Sequence, residues 1–162
     1  SLEEVVSTAD VLVMAVPSHG YREVASEAAR FLRPWVPVVS LTKGLERASR
    51  KRMSEVTRDE MPGHPVAVLT GPNLAREVAE GQPTASVAAI PDPARAAAVQ
   101  AAFMTPTFRV YTNPDVVGCE IAGALKRKAQ LFCRCKQLVK IQIGGITLVE
   151  QFPGGLGNNR NF

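Results

Sequence analysis

The sequence contains few of the features that mark secreted, membrane-spanning or metal-binding proteins. Only three of its 162 residues are cysteine, so the thiols cannot all pair, and none has the spacing of a zinc site. No run reaches the roughly 18 apolar residues that a membrane-spanning helix needs. The first residues, SLEEVVSTAD, lack the basic and apolar regions of a secretory signal. We therefore expect a cytoplasmic protein with no membrane span and no metal site.

Acidic residues are nearly missing from the end of the chain. Residues 1–126 hold 13 Lys and Arg against 14 Asp and Glu, whereas residues 127–162 hold six basic residues and a single acid, Glu150. Alanine is also frequent before residue 127 and occurs once after it. This change predicts a boundary near residue 126, which a frameshift, a splice, a fusion or a true second segment would each produce. The basic stretch RKAQLFCRCKQLVK has one aromatic residue, Phe132, and no stacking pattern, so we expect no nucleic-acid partner.

Short apolar runs alternate with amphipathic stretches over residues 1–126. The runs VLVMAV, VPVVSL, VAVLT, TASVAAI and FRVYT have the length and the valine content of strands. The stretches between them have helical spacing, and Asp92-Pro93 and Asp115 are typical helix starts. This alternation predicts an α/β fold with a parallel sheet and flanking helices.

The alternation stops after residue 140. VKIQI and ITLVE, which flank Gly144-Gly145, favour a hairpin, and GGLGNNRNF is typical of a loose chain end. For residues 127–162 the alternatives are therefore a disordered end and a hairpin.

Three turns follow the first three predicted strands. They are Pro17-Ser18-His19, Thr42-Lys43-Gly44 and Gly71-Pro72-Asn73. Because the carboxyl ends of parallel strands meet at one edge of a sheet, and ligands bind beyond that edge, we expect these turns to form a site. A lysine at position 43 and a helix start over residues 73–75 favour an anionic ligand there.

The stretch GCEIAGALK carries a second lysine of interest. Val117, Ile121 and Leu125 fall at i, i+4 and i+8 of a helix and form one apolar stripe, after which the apolar run ends at Lys126. Lys126 is then either the solvated end of the helix or a charge that the packed helix delivers to the site.

Four segments together identify a resemblance. DVLVMAVPS, VSLTKGLE, LTGPNLAREVAEGQPTASV and FRVYTNPDVVGCEIAGALK, in this order and spacing, resemble the soluble bacterial NAD(P)-dependent glycerol-3-phosphate dehydrogenases. The resemblance runs from about Ala9 to Lys126. It implies a Rossmann-like fold and a cytoplasmic oxidoreductase of phospholipid biosynthesis.

The resemblance also implies an activity and a set of site residues. The reaction is hydride transfer between NADH or NADPH and dihydroxyacetone phosphate, which gives sn-glycerol 3-phosphate. By resemblance Lys126 is the proton acceptor and Lys43 contacts both substrate and cofactor. Gly71 and Asn73 contact the substrate, and Ala75 lies against the cofactor. A neutral amine can accept the proton of a secondary alcohol when burial or a nearby cation lowers its pKa, so a pair of lysines suits this chemistry.

The chain departs from the family pattern at both ends. No G-x-G-x-x-G occurs, so the first βαβ unit, which cradles the cofactor pyrophosphate, is absent, and residues 1–126 match the C-terminal part of the NAD(P)-binding domain. Arg127-Lys128 leaves the pattern after GALK. With no initial methionine either, we expect a fragment with little or no turnover, whose full-length parent can be a homodimer. The alternatives are a non-catalytic protein that only binds, and a dehydrogenase of another small hydroxy acid.

Overall fold

A computed structural model gives the fold of the protein. It describes the backbone of residues 1–129, 140–143 and 146–150, and the side chains of residues 1–125. The helices are α1 (Leu2–Ser7), α2 (Tyr21–Ala29), α3 (Met53–Glu60), α4 (Ala75–Ala79), α5 (Pro93–Phe103) and α6 (Val116–Ala129). The strands are β1 (Leu12–Ala15), β2 (Val38–Ser40), β3 (Val66–Thr70), β4 (Thr84–Ala89), β5 (Phe108–Asn113), β6 (Lys140–Ile143) and β7 (Ile146–Glu150).

The described strands form one sheet in the order β5-β4-β3-β2-β1-β7-β6. Strands β1, β2 and β3 are parallel, with Leu12 opposite Val38 and Val38 opposite Val66. The carboxyl ends of these three strands therefore meet at one edge, as the sequence predicts. The expected α/β class with flanking helices is confirmed.

The two outer strands correct the expectation of an all-parallel sheet. Strand β4 runs antiparallel to β3, with Val68 opposite Ala89, and β5 is parallel to β4. Apolar runs indicate strands but carry no direction, and the connection between β3 and β4 is long enough for either arrangement. The sheet is therefore mixed.

Both faces of the sheet carry apolar side chains, because a strand buried on two sides needs them at every position. One face packs under α1, α2 and α3 around a cluster that includes Val6, Leu12, Met14, Tyr21, Val38, Met53 and Val56. The other face packs under α5 around Val13, Val39, Ala67, Ala88, Val99 and Val110. Each fully buried aliphatic side chain stabilises the fold by about 1.5–3 kcal/mol relative to its exposed state.

Tyr21 is the largest fully buried side chain, and its hydroxyl lies 2.8 Å from Thr57 Oγ1. Burial raises the pKa of Tyr21, so its hydroxyl stays protonated and keeps this partner.

Strands β6 and β7 pair antiparallel as a hairpin, with Ile143 opposite Ile146. Strand β7 also pairs parallel to β1, with Leu12 opposite Thr147. The hairpin thus extends the sheet on the side of β1. The sequence also predicts a loose end over residues 154–162, and that stretch lies outside the described residues. Within the part of the chain that the structure describes, every helix is too short or too polar to cross a bilayer.

Candidate functional site

The carboxyl ends of β1 and β2 are tied together by the turn that carries Lys43. Thr42 donates its hydroxyl to the carbonyl oxygen of Val16 at 2.6 Å, and Leu41 N donates to Met14 O at 2.9 Å. Gly44 follows with a φ of 130°, a backbone conformation that favours glycine. These bonds fix the direction in which the chain leaves β2, and with it the side chain of Lys43.

Lys43 reaches the end of the third parallel strand. Its ammonium Nζ donates to the carbonyl oxygen of Gly71 at 3.1 Å, and the side chain is half-buried. Two of the residues that the sequence singled out, Lys43 and Gly71, are therefore in direct contact across the edge of the sheet.

The turn after β3 lies tightly on β4. A Cβ at position 71 would stand 2.5 Å from the carbonyl oxygen of Ala85 and 2.9 Å from the Cα of Ser86, so only glycine fits. Two residues on, the side-chain amide of Asn73 donates to Ser86 Oγ at 2.5 Å. Ala75 then begins α4 and is exposed. The segment from 71 to 75 thus follows the same edge as Lys43.

Helix α6 packs on β3 with a different face from the one the sequence favoured. The apolar stripe of Val117, Ile121 and Leu125 is exposed, with relative accessibilities of 48%, 46% and 64%. The buried residues are instead Val116, Glu120 and Gly123. The expectation that the stripe anchors the helix is therefore wrong, because close backbone contact and a satisfied carboxylate hold α6 in place.

Gly123 brings α6 beside Lys43. A Cβ at this position would lie 2.6 Å from Thr70 Oγ1 and 3.9 Å from Lys43 Cγ. Glycine, the smallest residue, permits this contact. Lys126 follows Gly123 by three residues on the same helix, on a neighbouring face. Its side chain lies outside the described residues.

A buried carboxylate that the sequence reasoning missed secures this arrangement. Glu120 accepts hydrogen bonds from Ser54 N at 2.8 Å, Ser54 Oγ at 2.6 Å and Arg52 Nη1 at 2.9 Å. The available signal was that Glu120 lies four residues after Val116 and three before Gly123, which predicts a shared helix face. An acid among small and apolar residues normally indicates a solvated position, and its partners are 66 and 68 residues away.

The loop that carries Lys43 is held at its far end by a network of charges. Arg22 binds Glu46 through two hydrogen bonds, at 2.7 and 2.9 Å, and also contacts Asp59 at 3.1 Å and Glu60. The Arg22 guanidinium, followed by the Ser49 hydroxyl, lowers the pKa of Glu46 to about 2. The acid of the TKGLE motif therefore fixes the loop to α2 and does not face the site.

The described residues contain no group of three or more His, Cys, Asp and Glu side chains that could hold a metal ion. Cys119 is a free thiol on α6, and burial raises its pKa. Cys133 and Cys135 lie outside the described residues. What the site offers a ligand is thus a cation beside a tight Gly-Pro turn.

Comparison with known proteins identifies the family. A family model described as the N-terminus of NAD-dependent glycerol-3-phosphate dehydrogenase matches residues 1–96. A glycerol-3-phosphate dehydrogenase (NAD(P)+) of Sphingopyxis alaskensis is 60% identical over 125 residues, which are 77% of this chain and 38% of that protein. One from Mycobacterium avium is 58% identical over 123 residues, 76% of this chain and 36% of that protein.

Solved structures show the same relationship. The glycerol-3-phosphate dehydrogenase of Coxiella burnetii superposes with a TM-score of 0.73 at 30% identity, over 78% of this chain and 38% of that one. The chain therefore spans little more than a third of the relatives it matches. It belongs to the family of NAD-dependent glycerol-3-phosphate dehydrogenases and carries sequence of their N-terminal part.

Proposed function

We propose that this chain supplies part of the active site of a glycerol-3-phosphate dehydrogenase. The reaction interconverts sn-glycerol 3-phosphate and dihydroxyacetone phosphate with NADH or NADPH, at the start of phospholipid synthesis. The observation that carries the proposal is the contact of Lys43 with Gly71, at an edge of the sheet to which Gly123 brings α6. Three motifs that are distant in sequence converge there.

Each of the site residues has its own role in the proposed reaction. Lys43 provides a positive charge for the phosphate-bearing substrate and for the cofactor. Gly71 and Asn73 line the substrate, and Ala75 lies against the cofactor. Lys126 takes the hydroxyl proton during oxidation and returns it to the ketone oxygen during reduction. An amine accepts a proton only when neutral, and a second cation nearby favours its neutral form.

The donor set suits the reactive end of a nicotinamide cofactor. The site edge carries an ammonium group and a tight Gly-Pro turn, which fit an anionic substrate beside a flat ring. The bound NAD or NADP supplies and accepts the hydride. The sequence contains no G-x-G-x-x-G loop, so these residues would hold only that end of the cofactor.

A chimera tests the proposal. Residues of this chain replace the 125 matching residues of the Sphingopyxis relative, and NADH- or NADPH-dependent reduction of dihydroxyacetone phosphate is measured. We expect the chimera to turn over, and Lys126→Ala and Lys43→Ala to reduce kcat/KM by about 100-fold or more, as loss of a general acid or base does. Arg30→Ala is the matched control, because Arg30 is an exposed basic residue at the end of α2, after Ala29. Full activity in Lys126→Ala would refute the proposed proton acceptor.

Two further statements belong to the proposal. The enzyme acts in the cytoplasm, and its full-length form is a homodimer. Cell fractionation and light scattering of the chimera test them, and a monomeric active chimera would refute the second.

A further inference from the structure

Glu120 makes a connection between α6 and α3 that the apolar packing of α6 does not explain. The carboxylate is 7% exposed, and both of its oxygens are occupied. Oε1 accepts from the backbone N–H of Ser54, and Oε2 accepts from the Ser54 hydroxyl and from Arg52. A buried carboxylate with three such donors is fully satisfied, so it is held in one orientation.

The partners of Glu120 are themselves fixed. Arg52 pairs with Glu55 at 2.9 Å, and Arg52 N donates to the same carboxylate at 2.9 Å. Ser54 is in the first turn of α3, where backbone N–H groups have no partner inside the helix and favour a negative charge. The side chain of Arg52 is only 18% exposed. Glu120 therefore binds to hydrogen-bond donors at the start of α3 that are themselves held in place.

The bonds of Glu120 decide where the site end of α6 lies. One turn before it, Val116 packs with Val68 and Ala89, a contact of small apolar groups that tolerates sliding. Three residues after it, Gly123 meets Thr70 and Lys43, where there is no room for a Cβ. Directional hydrogen bonds at Glu120 fix both the rotation and the height of the helix between these two contacts.

We propose that Glu120 is a positioning residue, which through α6 holds Lys126 beside Lys43. The inference rests on the proposed function for the role of Lys126, whereas the hydrogen bonds of Glu120 and the contacts of Gly123 do not depend on it. Loss of the carboxylate would let α6 shift on β3, and its segment from Gly123 onward would move relative to Lys43.

Amine cross-linking of the full chain tests this placement. A short bifunctional reagent, difluorodinitrobenzene, is applied to wild type and to Glu120→Gln, and the Lys43–Lys126 cross-link is quantified by peptide mass spectrometry. We expect the cross-link in wild type and a yield lower by about fivefold or more in Glu120→Gln, the change that a small loss of positional free energy produces. Glu120→Asp, which keeps the charge, should recover part of the yield.

A matched control separates positioning from general loosening of the fold. Val99→Ala removes buried methyl groups on the other face of the sheet, under α5, and should leave the cross-link yield unchanged. If Glu120→Gln does not fold, Ser54→Ala removes one of the three donors and should lower the yield to a smaller extent. An unchanged yield in the Glu120 and Ser54 variants, an equal loss in Val99→Ala, or no cross-link in wild type would each overturn the inference.

The readout does not depend on turnover. A cross-link that responds to Glu120 while the Lys126→Ala chimera stays active would keep the positioning role and refute the proton acceptor. In an active chimera, Glu120→Gln should lower kcat about tenfold with little change in the KM for the cofactor, because it displaces a group that acts in the reaction.

Discussion

The two faces of α6 differ in burial, and the difference is the reverse of what their composition suggests. The face with Val117, Ile121 and Leu125 is apolar and exposed, whereas the face with Glu120 and Gly123 contains an acid and the smallest residue and is buried. Apolar periodicity correctly indicated a helix, but it did not indicate which face the described fold covers. Glycine permits close approach of the helix to the sheet. A carboxylate that accepts three hydrogen bonds can be buried at little energetic cost, so this face packs well.

The largest effect is expected from breaking the buried ion pair. Glu120→Ala leaves the N–H and the hydroxyl of Ser54 without this acceptor and leaves Arg52 with Glu55 as its remaining partner. We expect the free energy of unfolding to fall by about 3 kcal/mol or more, since each buried donor left unsatisfied costs about 1–3 kcal/mol. Urea unfolding followed by circular dichroism measures it.

The control is Glu27→Ala, which removes an exposed acid on α2 and should change stability by no more than about 0.5 kcal/mol. Equal effects of the two substitutions would mean that the buried face of α6 does not depend on its carboxylate.

The second effect concerns the glycine of the same face. Gly123→Ala places a Cβ 2.6 Å from Thr70 Oγ1, and overpacking of this kind typically costs about 1–3 kcal/mol. Alanine favours a helix by about 1 kcal/mol over glycine, so we expect a net loss of about 1 kcal/mol, measured as a lower urea midpoint.

Two variants sharpen this test. Thr70→Ala combined with Gly123→Ala removes the atom that is crowded and should restore stability. Gly20→Ala, where a Cβ would meet nothing within 4 Å, serves as the control for backbone effects. A more stable Gly123→Ala single variant would contradict the close approach of α6 to β3.

Much of this fold was readable from the sequence because its signals are local. The first four strands lie within the predicted apolar runs, and β5 extends one residue beyond its run, to Asn113. Asp92 caps α5 by accepting hydrogen bonds from Ala94 N and Arg95 N. The meeting of Lys43 and Gly71 followed from strand order alone. The direction of β4 and the partners of Glu120 were not readable, because both depend on contacts between segments far apart in sequence.

The partly buried ion pair of Arg22 with Glu46 is more accessible to solvent than the pair of Arg52 with Glu120. The folded-state pKa of Glu46 is lowered from 4.5 to about 2, so its contribution to stability is fully present above pH 4.5 and is lost as pH falls toward 2. We therefore expect Glu46→Gln to be less stable than wild type at neutral pH and the difference to shrink between those two values. Urea unfolding across this range checks it, and a difference that grows on acidification would contradict the assignment.

The smallest effect is expected on the apolar face. Leu125 is 64% exposed, so Leu125→Gln removes little buried area, and we expect a change in unfolding free energy within about 0.5 kcal/mol. Val116→Ala, on the buried face of the same helix, should lose about 1 kcal/mol or more and serves as the matched comparison. A larger loss of stability in Leu125→Gln than in Val116→Ala would mean that the apolar stripe is the packed face in solution. Because one helix cannot bury both faces against a single sheet, that result would also contradict the anchoring role of Glu120.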